Sequence, residues 1–128
     1  PEAIYSVGET NYVIRPKDSD ARLAVLKVYI RNDRSSKISM LVDENAAFLT
    51  DRRSNRLSSL DPYKNREETM KPPEDSVGYL PLLWGTTSVL KGYEIQGWMF
   101  FEVPADFNPE RFNWEQGESM WVTVKDIY

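Results

Sequence analysis

The stretch KGYEIQGWMFFEVPADF, Lys91 to Phe107, reads as one β-strand with two apolar faces. Side chains alternate across a strand, so Tyr93, Ile95, Met99, Phe101 and Val103 share one face, assigned here to the core. Trp98 and Phe100 fall on the other, flanked by Gln96 and Glu102. Two large aromatic rings on a second face need a cover, because contiguous apolar patches are seldom left in water. Gly92 suits a turn that requires positive φ, and Gly97 in the strand interior suits a bulge or a close backbone approach. Pro104 has no N–H to donate and ends the ladder.

Working outward, other segments show the same period of two. LAVLKVYI, Leu23 to Ile30, sets Ala24, Leu26, Val28 and Ile30 against Val25, Lys27 and Tyr29. A helix beginning at an Asp or Ser cap in DSDARLAVLK is the competing reading. It is set aside because VYIRND favours a strand that stops at a turn cluster. KISMLV aligns Ile38, Met40 and Val42, and AAFLT follows the turn-prone Asp43-Glu44-Asn45. RFNW alternates Phe112 with Trp114, QGE turns, and SMWVTV lines up Met120, Val122 and Val124, which predicts a closing hairpin.

Between Asp51 and Val77 the pattern breaks into a polar, proline-punctuated connection, expected to hold one short helical turn opened by Asp61-Pro62. Connections of that length inside compact domains tend to be functional or mobile. VGYLPLLWGTTSVL then crowds apolar residues around Pro81 with no clean period. The pattern predicts a single all-β domain over residues 1–128, an antiparallel sandwich with residues 51–90 as a long inserted connection and apolar flap.

Composition narrows the chemistry. A chain of 128 residues with 41% hydrophobic and 28% charged residues is long enough for one core. There is no Cys and no His. Disulfides, thiol nucleophiles, His-based hydroxyl triads and His-ligated zinc are therefore excluded. No cofactor is expected, since no glycine-rich phosphate loop is present. A net charge of −4 argues against nucleic acid as a partner. Asp18 and Asp20 share the one-residue spacing of calcium loops but lack the later Gly and Glu of an EF-hand, so RPKDSDAR is read as a turn. No apolar run approaches a membrane span, the first residues lack a signal-peptide pattern, and the chain reads as soluble. It begins at Pro1, as a fragment whose leader or anchor has been removed would.

LAVLKVYIRND, FLTDRRSNRLSSLDPY and LKGYEIQGWMFFEVPADFNPERFNW together resemble the telokin-like family of bacterial and archaeal envelope proteins, relatives of an immunoprotective extracellular protein. Gly92, Gly97, Phe101, Val103 and Pro104 carry the likeness most strongly, and it spans residues 5 to 125. The resemblance implies an immunoglobulin-like β-sandwich in a secreted or envelope-anchored protein, with any membrane anchor outside this chain. It is nearly silent on activity. This chain departs from the family pattern before the Gly92 turn, where the family's loop is shorter and more polar.

Two candidate sites follow. Tyr79, Leu80, Leu82, Leu83 and Trp84, with Trp98 and Phe100, form either a flap packed within the chain or a surface for a partner protein, a peptide or a lipid. Arg52, Arg53 and Arg56 form a weaker anion-binding candidate, largely neutralised by Asp51, Asp61, Glu67 and Glu68. The expected function is non-catalytic binding or scaffolding. Self-assembly into a homo-oligomer through the flap or a sheet edge is the first alternative. A carboxylate-based enzyme is the second, and no acid pair in the sequence marks it.

Overall fold

A computed structural model describes residues 2–71, 81–116 and 118–123, with backbone pairing alone for Gln116 and residues 118–123. Among the described residues the fold is all-β, without a helix, and its sheets are antiparallel. The strands are β1 (Ala3–Val7), β2 (Thr10–Ile14), β3 (Arg22–Arg31), β4 (Lys37–Val42), β5 (Ala47–Thr50), β6 (Arg56–Ser58), β7 (Glu67–Thr69), β8 (Gly85–Leu90), β9 (Glu94–Val103), β10 (Arg111–Gln116) and β11 (Glu118–Thr123). They form the sheets β1-β2-β7, β11-β10-β5-β6, β3-β9 and β4-β8.

The two ten-residue strands, β3 and β9, pair along their whole length from Arg22↔Val103 to Arg31↔Glu94. This ribbon organises the interior because both of its faces are buried over half its length. On one face Ala24, Leu26, Met99, Phe101 and Val103 pack with Met40 and Val42 of β4, Val89 of β8, Ala47 and Leu49 of β5, and Phe112 and Trp114 of β10. Phe101 and Phe112 meet edge to face, with centroids 6.4 Å apart. On the other face Leu23, Val25 and Phe100 pack with Ala3 and Tyr5 of β1 and Ile14 of β2. The layering is sandwich-like, with the ribbon between two cores.

The N-terminal hairpin therefore provides the cover that Phe100 requires. The sequence segment AIYSVGETNYVI turns at Gly8, whose φ of 63° is open to glycine, and pairs Tyr5 with Tyr12 across the strands. Pro81 to Leu83 runs alongside β9 rather than over its face: Trp98 N–H donates to Pro81 O (2.9 Å), and Leu83 N–H donates to Trp98 O (3.0 Å). A little further along the same edge, Leu60 N–H donates to Phe100 O at 2.8 Å. β9 thus has backbone partners on both sides.

Two sequence expectations need correction. Tyr93 is 64% exposed, because it precedes β9 at the Gly92 turn (φ 83°) and lies beyond the end of the core. The connection after Asp51 contains β6, the Leu60 bridge and β7. Their outer residues, Arg56, Ser58, Glu67 and Glu68, are all polar, so the period was hidden. The short helical turn expected at Asp61-Pro62 is present: Asn65 N–H donates to Asp61 O (3.0 Å), and Asp61 Oδ1 caps the turn by accepting from Tyr63 and Lys64 N–H. The expected face of Met120, Val122 and Val124 lies outside the described side chains.

A ribbon buried on both sides makes a specific demand on adjacent residues. Phe100 and Phe101 are each fully buried, in different cores. Phe100→Ala and Phe101→Ala are each expected to cost about 3–5 kcal/mol in urea unfolding. A loss below about 0.5 kcal/mol for Phe100→Ala, the level of a surface change, would mean that the hairpin does not cover that face.

Candidate functional site

The residues of the expected apolar surface separate in the structure. Tyr79 and Leu80 lie outside the described residues. Leu83 is buried and Trp84 half-buried, both packed in the larger core. Leu82 and Trp98 pack half-buried against the smaller core, which contains Phe100. Leu82 joins the smaller core, whereas Leu83 and Trp84 join the larger one. Gly97 makes the approach feasible: a Cβ there would lie 2.6 Å from Leu83 Cβ and 3.0 Å from Leu83 N. The close backbone approach expected of Gly97 is thus observed.

Trp98 belongs to a second feature that the sequence reading did not assemble. The β3–β9 pairs Leu23↔Glu102 and Val25↔Phe100 lie at the hairpin-covered end of the second face. The next rows, Lys27↔Trp98, Tyr29↔Gln96 and Arg31↔Glu94, extend toward water. Tyr29 is 59% exposed. The Lys27 ammonium sits 5.5 Å from the Trp98 ring centroid and 5.5 Å from that of Tyr29, within cation–π range of both. Arg31 is held by Asp33 through a 2.7 Å contact. The result is a shelf of cations and aromatic rings on a rigid ribbon. Its signal was present in LAVLKVYI, where the second face changes at mid-strand from Leu23 and Val25 to Lys27 and Tyr29.

The arginines also part company. Arg52 and Arg53 lie in the β5–β6 turn, lining an open cleft of about 820 Å3 with Asp51, Asp106 and Glu110. Three carboxylates face two guanidiniums there, so the cleft carries no positive excess. Arg56 is on β6, its guanidinium 4.3 Å from the Phe48 ring centroid and 3.7 Å from Glu115. Asp51 serves the turn itself: its carboxylate accepts from the Asn55 side chain and from Arg53 and Asn55 N–H. These bonds, the Asn55 side chain's first, hold its pKa below the usual 3.8. The turn is therefore tightest above the unfolded value and loosens as pH falls through the lowered one. Among the described residues no group of three or more acids is arranged to hold a metal. Asp18 makes a turn, its Oδ1 accepting from Asp20 N–H.

Tyr5 ties the hairpin to the chain after Pro62. Its hydroxyl donates to Pro62 O (2.8 Å) and accepts from Arg66 Nη1 (3.2 Å). The same guanidinium stacks 3.8 Å from the Tyr12 ring centroid. Burial raises the Tyr5 pKa above 10.0, with the Arg66 hydrogen bond opposing it.

Comparison with protein-family models, characterised proteins and solved structures finds no match for this chain.

Two measurements probe these contacts. Gly97→Ala drives a methyl into the Leu83 backbone and is expected to cost about 1–3 kcal/mol, the scale of overpacking; a neutral effect would show that the Pro81–Leu83 segment yields. Tyr5 holds its proton more tightly when folded, so its contribution is complete below pH 10 and is lost as pH rises through the raised value. Tyr5→Phe should destabilise by about 1–2 kcal/mol at neutral pH and flatten the alkaline fall in melting temperature; an unchanged alkaline slope would remove Tyr5 from it.

Proposed function

We propose that this chain is a non-catalytic binding or scaffolding domain, an immunoglobulin-like sandwich within an extracytoplasmic protein. The single observation that supports binding is the shelf of Lys27, Tyr29 and Trp98 on the exposed half of a ribbon whose other half is locked into two cores. Tyrosine and tryptophan are enriched at protein interfaces, and on a rigid element little entropy is lost when they are contacted. The immunoglobulin-like topology and the envelope location are supported by the likeness of the Gly92–Pro104 motif to the telokin-like family.

Chemistry is the poorer reading. Without His or Cys, acid–base work falls to carboxylates. The described cleft that gathers several of them sets them beside guanidiniums on an open surface, with Asp51 already engaged in its turn.

Photo-crosslinking tests the proposal directly. A benzophenone amino acid replacing Tyr29, in the protein expressed in its native host, is expected to give a discrete adduct with another protein. The same residue replacing the exposed Tyr63, on the loop after Pro62, should not. Equal adducts from both positions, or none from Tyr29, would overturn the reading.

A further inference from the structure

Which ligand the shelf takes can be read from the hydrogen-bonding direction of β3. Asn32 N–H donates to Tyr93 O (3.1 Å) and Gly92 N–H donates to Asn32 O (2.7 Å), so residue 32 directs its backbone groups toward the β9 side. Bonding direction alternates along an antiparallel strand. Ile30, Val28, Leu26, Ala24 and Arg22 therefore face β9, while Leu23, Val25, Lys27, Tyr29 and Arg31 aim their N–H and C=O groups at the outer edge. The parity of β9 agrees, since Trp98 and Phe100 bond away from β3, to Pro81, Leu83 and Leu60. β9 is paired on both sides. Among the described residues no strand pairs with the outer edge of β3.

Only part of that edge is reachable. Leu23 and Val25 are 3% and 5% exposed, whereas Lys27, Tyr29 and Arg31 are open to solvent. Each of the three offers one donor and one acceptor, and their side chains stand on the shelf beside them.

We infer that this edge, from Lys27 to Arg31, binds an acidic peptide segment in extended form as an added β-strand. The inference rests on the binding-domain reading and names its partner. Residues opposite one another across strands interact directly, and like charges there are destabilising. A second copy of the chain meets that obstacle: two-fold antiparallel pairing centred on Tyr29 sets Lys27 against the other copy's Arg31, and Arg31 against its Lys27. A carboxylate opposite Lys27, which has no ion pair among the described residues, complements its charge, while Arg31 is already paired with Asp33, and an apolar residue falls opposite Tyr29. Backbone bonds supply the docking and Lys27 selects the sign of the partner.

The probe is the capped pentapeptide Glu-Thr-Val-Thr-Glu, whose first, third and fifth side chains share one face, titrated into the isotopically labelled protein. Amide shifts should concentrate at Lys27, Tyr29 and Arg31 and spare Tyr63. Affinity should fall with salt, and about tenfold in Lys27→Glu, which is exposed and leaves folding intact. N-methylation of the Glu and Val amides should abolish binding, because these are the groups that meet the edge. Equal binding of the N-methylated peptide would overturn strand addition, as would equal binding of Lys-Thr-Val-Thr-Lys or no shift at millimolar peptide. A concentration-dependent dimer that protects the Tyr29 amide would make a second copy the occupant instead. If the pentapeptide fails while the Tyr29 crosslink forms, only the partner class falls. If both fail, the binding-domain reading falls with it.

Discussion

Burial of both faces of the β3–β9 ribbon is the constraint on which the rest of the structure depends. A two-stranded ribbon has little stability alone. Here its alternating side chains feed two separate cores, so each strand residue over half the length does packing work on one side or the other. That explains features otherwise unconnected. The N-terminal hairpin exists as a lid for Leu23, Val25 and Phe100. Gly97 lacks a side chain because the chain at Leu83 must come within backbone contact of β9. Asn32, 1% exposed, ends the ribbon: its side-chain Nδ2 donates to Ser35 O and Val89 O while its Oδ1 accepts from Arg34 and Ser35 N–H. One side chain thereby fastens β3, the following turn and β8.

Much of this frame was legible because its strands alternate strongly. β3, β4, β9 and β10 follow the period of LAVLKVYI, KISMLV, EIQGWMFFEV and RFNW, β5 is marked instead by the Asp43-Glu44-Asn45 turn before AAFLT, and Ile38, Met40, Val42, Phe112 and Trp114 face the larger core as expected. The N-terminal hairpin is not among these alternating stretches, because β1 and β2 each span only five residues. AIYSVGETNYVI nevertheless has a Gly turn between two β-rich runs, the ordinary hairpin cue. β6 and β7 were illegible for a different reason. Each spans three residues, shorter than any window over which a period can be judged. What gives them their form is a neighbouring strand, β5 for one and β2 for the other.

The candidate site was legible only in fragments. Sequence alternation correctly put Trp98 and Phe100 on one face, but it could not rank them, because the difference is set by where the hairpin ends. Phe100 lies under Ala3 and Tyr5, whereas Trp98 sits one row beyond, beside Lys27. The YLPLLW segment looked uniformly apolar, yet its residues divide between two cores as Leu82 and Leu83 take opposite sides. Arg52, Arg53 and Arg56 looked like one basic cluster. The β5–β6 turn separates them, since two occupy its tip and the third returns on a strand to stack on Phe48.

The same ribbon that stabilises the protein also fixes the geometry of its exposed end. Val25↔Phe100 is anchored in the smaller core and Lys27↔Trp98 is the next row on that face, roughly 7 Å further along the strands. The shelf is therefore held by packed neighbours, not by its own contacts. A loop could present the same lysine and tyrosine only by losing their conformational freedom upon binding. On β3 that cost has been met during folding, by the cores on either side. This separates the two tasks by position along one strand: Leu23 to Leu26 answer to the interior, and Lys27 to Arg31 are open to change without disturbing it, apart from Ile30, which is buried, and Val28, which is half-buried, in the larger core. On the proposed reading, specificity would be altered at alternate residues, Lys27, Tyr29 and Arg31, while Val28 and Ile30 keep the ribbon in place.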